Sequence, residues 1–301
     1  MIGVVSASTS PPAPSTATAI GTVAVIIPCF NDGATLTEAV RSAQVQERLD
    51  ELLVVDDGST DPATLAVFRT LEDEGVEILH RANGGLGAAR MSGVHASASQ
   101  YVFCLDADDR LLPGALARLA RALDDDDGLA LSWGDYVLFG ERSWRQQTAP
   151  SLDAWQITYQ NDIPASVLAR RSALLAAGGW ELRGGYEDWD MLMGMAESGG
   201  RGARVPLVAY EYRQHGVRML GESAARHGEI YALLRQRHPR LFAARRQAWR
   251  HTDAPWTLKL GLPIVFALPI GDNRRRLLAG AVNHLARRRG VRLLARRVRG
   301  G

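Results

Sequence analysis

Residues 101–109 read YVFCLDADD: an uncharged, largely apolar run that ends in Asp106, Asp108 and Asp109. A run this apolar, with no polar alternation, predicts a strand buried on both faces. Three carboxylates directly beyond it repel one another unless something positive compensates. Hard oxygen ligands in this pattern suit a divalent cation, magnesium or manganese.

Working outward, three more apolar runs lie upstream, at 23–27, 51–55 and 76–79. The first leads into Pro28-Cys29-Phe30-Asn31-Asp32 and the second into Asp56-Asp57-Gly58-Ser59-Thr60-Asp61. The third leads into Asn83-Gly84-Gly85-Leu86-Gly87, with Arg90 one helical turn further on. Helices are expected over 35–46, 61–72, 86–97 and 113–123, the second with Asp61 as N-cap and Pro62 at its first position. This alternation predicts an α/β fold whose mostly parallel central sheet is flanked by helices, with a Rossmann-like nucleotide-binding half. The second half is less regular. It suggests strands at 129–133, 136–139 and 205–212, and helices at 167–177, 187–197 and within 222–249.

In an open parallel sheet, ligands bind beyond the carboxyl ends of the strands, so the four loops meet along one edge. Singly, 56–61 reads equally as a turn with a helix cap, and 83–85 as a glycine turn. Together they suit a diphosphate-bearing ligand, with a metal bridging carboxylates to phosphates. Asp57 can accept hydrogen bonds from a base or ribose, and Arg90 can meet a phosphate or base.

The 301 residues are 46% hydrophobic and 23% charged, with net charge +2, which excludes a disordered or collagen-like chain. Lys259 is the only lysine among 35 basic residues and follows no glycine-rich loop. A P-loop NTPase, a kinase and a Schiff-base enzyme each need a placed lysine and are disfavoured. Cys29 and Cys104 lie in apolar runs and read as core, in keeping with a reducing compartment. The N-terminus lacks a basic region followed by an apolar one, and no run reaches the ~18 apolar residues of a spanning helix. The expected location is cytoplasmic.

The order and spacing of these motifs resemble family 2 inverting glycosyltransferases, which have the glycosyltransferase-A fold. The resemblance runs through VIIPCFN (25–31), VVDDGSTD (54–61), NGGLGAAR (83–90) and LDADD (105–109). It continues in Gly178-Gly179-Trp180, in YEDWD (186–190) and in YRQH (212–215), covering about residues 22–220. It implies that Pro28, Phe30 and Asn31 line the nucleotide pocket, Asp57 binds the base and Arg90 supports the nucleotide. Asp106 and Asp108 would be the family's D-x-D, both toward metal and Asp106 also toward ribose, and His215 would be a further metal ligand. Asp188 would be the general base, favoured over Glu187 and over a plain helix-start acid. Trp180, Glu187 and Trp189 lie near the expected acceptor, and the two tryptophans read equally as a sugar platform or as core. The chain departs from the family in Met91, where many relatives have Asn, and in Gly216-Val217, where Gly-Ser is typical. Asp135 could face donor or acceptor, or simply end a strand.

Inverting transfer is one in-line displacement at the anomeric carbon, so one carboxylate must take the acceptor proton opposite the leaving diphosphate. The implied donor is a nucleotide-diphosphate sugar, UDP favoured over dTDP or GDP. The implied acceptor is a hydroxyl of a glycan, a lipid-linked sugar or a small molecule. Two rivals stand beside this reading: a sugar nucleotidyltransferase, and a catalytically degenerate nucleotide-sugar-binding scaffold.

The organisation expected is a disordered leader over 1–21, a catalytic domain over 22–220 and a helical extension over 221–301. No acidic residue follows Asp272, while ten arginines do. Residues 255–271, interrupted by Pro263 and Pro269, read as an apolar loop. In the arginine-rich tail 272–301, Leu277, Leu278, Ala281, Val282 and Leu285 follow helical spacing. Together, 255–301 suggest peripheral attachment to an anionic membrane on its inner face. The alternative is a helix packed on the catalytic domain with a solvated basic face. No groove-reading motif accompanies the arginines, so nucleic acid is not an expected partner.

Overall fold

The computed structural model describes residues 20–140, 143–214 and 223–298, of which 287–298 as backbone alone. Its centre is β1 (Val23–Cys29), in which every residue is buried. Period-two alternation splits the strand between two cores. Val23, Val25 and Ile27 pack with Leu36, Phe68 and Leu116 on one face. Ala24 and Ile26 pack with Ala89, Val94 and Leu192 on the other.

The remaining strands are β2 (Glu51–Asp56), β3 (Glu77–His80), β4 (Tyr101–Cys104), β5 (Arg110–Leu111), β6 (Leu129–Gly140), β7 (Trp144–Gln146), β8 (Leu168–Arg170) and β9 (Arg201–Gln214). They form one sheet in the order β3-β2-β1-β4-β8-β6-β9-β5, with β7 beside β6. The first four strands are parallel neighbours, as expected. β8 is antiparallel to both β4 and β6, and β6 runs parallel to β9, so the whole sheet is mixed. Pro28 lies past Ile26, the last residue of β1 paired with β4, where a missing N–H breaks no bond to that strand.

The helices up to residue 197 are α1 (Gly33–Gln44), α2 (Pro62–Asp73), α3 (Leu86–Ala96), α4 (Ala115–Asp125), α5 (Arg171–Ala176) and α6 (Glu187–Glu197). α1 buries Leu36, Ala39, Val40 and Ala43, one face at helical spacing. Asp61 caps α2, its Oδ2 accepting from Thr64 N at 2.8 Å, and Pro62 occupies the first position. α3 lies close to the sheet because Gly93 has no side chain: a Cβ there would stand 2.4 Å from Ile26 Cγ2.

Two expectations are corrected. The predicted helix over 167–177 is a strand followed by a short helix, β8 then α5. The apolar segment 255–271 is not a loop: it contains the helix Trp256–Ala267, with Pro263 inside it. Proline removes the N–H that would bond the carbonyl four residues back. That carbonyl, of Lys259, accepts instead from Trp249 Nε1 at 3.2 Å. The tail helix Asp272–Val298 follows. Leu258, Leu262, Ala279 and Ala286 from this pair form a third core with Trp155 and Tyr159. Of the expected leader, residues 1–19 lie outside the described residues.

Candidate active site

The edge beyond β1, β2 and β4 gathers the predicted residues. Phe30 stands half exposed at the tip of β1, and Pro28 is buried beneath it. Asn31, with φ of 53°, turns its side chain onto the second loop. Its Oδ1 accepts from the backbone N–H of Thr60 at 2.8 Å and of Asp61 at 2.9 Å. Ser59 N donates to Asp56 Oδ1 at 2.8 Å, and Asp56 Oδ2 meets His80 Nδ1 at 2.9 Å. These bonds hold the Asp56 carboxyl below its ordinary range against the opposing effect of burial.

Asp57 is buried and faces the third loop. Its carboxylate accepts from the backbone N–H of Gly84 at 3.0 Å and of Gly85 at 2.7 Å, and it is paired with Arg81. Asp57 therefore pins the glycine loop beside the expected base position, and a bound base would share this carboxylate with Arg81. Nothing about Arg81 marked it from sequence except its place just before Asn83-Gly84-Gly85.

Arg90, expected to support the nucleotide, has a side chain only 2% exposed. It bridges two carboxylates: Nη2 donates to Asp106 Oδ1 at 2.6 Å and Nη1 to Asp188 Oδ1 at 2.8 Å. One buried guanidinium thus ties the D-x-D strand end to the first turn of α6. Trp180 joins the same centre. Its Nε1 donates to Asp188 Oδ1 at 3.1 Å, and its ring lies 5.5 Å from the Arg90 guanidinium carbon. Both hydrogen bonds fall on Oδ1, so among the described residues Asp188 Oδ2 takes none. Burial pushes the Asp188 carboxyl above its ordinary range, Arg90 opposes that shift, and Asp106 adds to it.

The turn before α6 sets this geometry. Tyr186 has φ of 59° and follows Gly185 at 121°. A side chain on Gly185 would strike Ser223 Oγ, so the tight entry needs glycine. Glu187 is buried and its Oε1 accepts from Gly185 N at 2.8 Å. It fastens the turn. Of its two readings Trp189 takes the core one: it is 6% exposed, donates to Ile157 O at 2.7 Å and stacks on His227. Trp180 is likewise buried, against Arg90, and its N–H holds the Asp188 carboxylate. Asp135 is fully buried in β6 and clamped by Arg204 at 2.6 Å and Arg145 at 2.7 Å, a buried ion cluster.

Asp106 and Asp108 follow β4 as expected, each partly exposed. Asp109 is buried; its Oδ1 accepts from Arg213 N at 2.9 Å, while Oδ2 takes no hydrogen bond among the described residues. Burial and the neighbouring charges of Asp106 and Asp108 push the Asp109 carboxyl well upward. His215 lies outside the described residues. Among the described residues no three His, Cys, Asp or Glu side chains form a metal cage. Magnesium held by one or two carboxylates together with substrate phosphates needs no such cage. The three clustered carboxylates at 106–109, and an Asp109 oxygen that takes no hydrogen bond among the described residues, fit a cation of that kind.

Comparison with known proteins places these residues in context. Residues 24–174 match the family model described as glycosyl transferase family 2. The uncharacterized glycosyltransferase Rv0539 of Mycobacterium tuberculosis is 29% identical over 223 residues, 70% of this chain and 94% of that protein. The succinoglycan biosynthesis protein ExoO of Rhizobium meliloti is 32% identical over 152 residues, 49% of this chain and 43% of that protein. The chain spans only 38% of the matched glycosyltransferase YibD of Escherichia coli, and 38% of EpsJ of Bacillus subtilis. Among solved structures, residues 1–349 of TarS from Staphylococcus aureus in complex with UDP-GlcNAc superpose with a TM-score of 0.57 at 15% identity. That match covers 87% of this chain and 71% of that one, a likeness of fold.

Proposed function

Because the chain belongs to glycosyl transferase family 2, we propose that it transfers one sugar from a UDP-sugar to a hydroxyl, with inversion, using Asp188 as the general base. The acceptor is a glycan, a lipid-linked sugar or a small molecule, met on the cytoplasmic side of the membrane. The observation that carries this reading is the Arg90 bridge between Asp106 and Asp188. It brings the strand end suited to a diphosphate within one guanidinium of a carboxylate suited to proton abstraction. The UDP-GlcNAc bound by a protein of like fold supports UDP as the nucleotide.

The roles follow from the geometry. Phe30 offers an exposed aromatic face where the base would lie, and Asn31 and Asp57 hold the two loops that border it. Asp106 and Asp108 would hold a magnesium or manganese ion, which when bound offsets the charge of the departing diphosphate. Asp188 accepts the acceptor's proton on Oδ2, since Oδ1 is engaged by Arg90 and Trp180. Trp180 and Arg90 fix the carboxylate plane, so the unbonded oxygen points one way throughout the reaction. A carboxylate whose pKa is raised is a stronger base, which favours general-base catalysis.

Calorimetric titration of UDP, dTDP and GDP, with and without manganese, tests the donor half. The expected result is UDP binding that requires manganese and falls ~10-fold or more in Asp108→Ala. Equal binding of all three nucleotides, or indifference to both metal and Asp108, would remove the assigned donor site.

A further inference from the structure

The helices Trp256–Ala267 and Asp272–Val298 form a hairpin with two apolar faces. One face is used: Leu258, Leu262, Ala279 and Ala286 bury against Trp155 and Tyr159. Gly261 lets the helices close, since a Cβ there would stand 2.5 Å from Val282 Cγ1. Asn283 Nδ2 donates to Asp162 Oδ2 at 2.7 Å, fastening the hairpin to the catalytic part.

The other face is open. On the first helix Trp256, Leu260 and Ile264, spaced four apart, are 68%, 56% and 61% exposed. On the second, Leu277, Leu278 and Leu285 are 63%, 42% and 57% exposed. Gly261 and Val282 mark the sides on which the helices meet. Counted at 100° per residue from those positions, both open rows turn to the same side, opposite the buried core. A helix that merely packs on a soluble domain turns polar side chains outward. Here the inward packing is present and the outward row is apolar as well.

Charge identifies the occupant. No acidic residue follows Asp272, while arginine occupies 274–276 and then 287–289, 292, 296, 297 and 299. An apolar ridge beside dense positive charge is complementary to one environment, the interface of an anionic lipid bilayer. No described helix is long and apolar enough to cross a membrane, and an interfacial helix needs neither property.

We propose that the open face of this hairpin seats the protein on an anionic membrane surface, with Trp256, Leu260, Ile264, Leu277 and Leu285 at the acyl boundary and the net positive charge of the tail sequence favouring anionic headgroups. Attachment does not depend on the donor chemistry and is read out separately from it.

Sedimentation of the full chain with vesicles tests this, using phosphatidylcholine alone and an equal mixture with phosphatidylglycerol. The expected result is binding to the mixed vesicles only, weakened by salt. Replacing Trp256, Leu260 and Ile264 together by Ser should lower that binding ~10-fold or more. The melting temperature and UDP binding of the variant should stay unchanged, because these side chains are exposed and distant from the site. Failure of the folded chain to bind mixed vesicles would overturn the proposal. So would a serine variant that binds as well as the parent, or a parent dimer that the serine variant converts to monomer, since the face would then be a contact between copies.

Discussion

At Asp188 two influences oppose each other. Burial and the nearby Asp106 favour the neutral acid, while Arg90 favours the carboxylate. The raised group is ionised above its pKa and protonated below it, so transfer should decline as pH falls through that pKa. The decline begins at higher pH than an ordinary carboxyl of 3.8 would give. Arg90→Met removes the opposing charge and should move the acid limb of the kcat profile further up in pH. A limb that does not move would show that Arg90 does not govern this carboxyl. Trp180→Phe keeps the ring and loses the N–H to Asp188 Oδ1. Its kcat should drop ~10-fold with UDP affinity unchanged, the mark of a residue that positions the base. Most of these residues were legible in the sequence through motif order. Their contacts were not, because an arginine in Gly-Ala-Ala-Arg looks the same whether it meets a phosphate or a buried pair of carboxylates. Trp189 and Glu187 likewise sit beside the base in sequence, but helix geometry turns them into the core and onto the preceding turn.

At the scale of elements, β6 depends on Asp135, whose side chain is fully buried between Arg204 and Arg145. Those hydrogen bonds, with Thr148, hold its carboxyl at about 2 despite burial. The depressed pKa means its stabilisation is complete above the unfolded value and disappears as pH falls toward about 2. Asp135→Asn leaves Arg204 without its counter-charge and should cost about 3–5 kcal/mol in denaturant unfolding. A loss under about 1 kcal/mol would mean the cluster is solvated. Gly93→Ala should cost about 1–3 kcal/mol, because α3 must back away from Ile26. The apolar runs 23–27, 51–55 and 101–105 were read as strands because they lack polar alternation, and β1, β2 and β4 occupy those places. β8 was hidden because it has three residues, followed at once by a helix that ends at Gly178-Gly179. Strand character there comes from fitting between β4 and β6, a tertiary fact. The helix over Trp256–Ala267 was hidden by Pro263, whose cost is offset by the Trp249 hydrogen bond from outside the segment.

Across the whole molecule, one sheet edge collects the loops proposed to take the nucleotide, and α6 brings Asp188, the proposed base, to it. The long-range join is Arg90, linking residues 16 and 98 positions away in sequence. The measurement that tests this join most directly compares the parent with Asp188→Asn, following UDP release from UDP-sugars with water or an added acceptor, alongside UDP affinity. The near-isosteric amide keeps the shape around Arg90 and cannot take a proton. UDP affinity should stay within about threefold while turnover falls ~100-fold or more. Full turnover in Asp188→Asn, or loss of UDP binding with it, would contradict a base held at this place by Arg90.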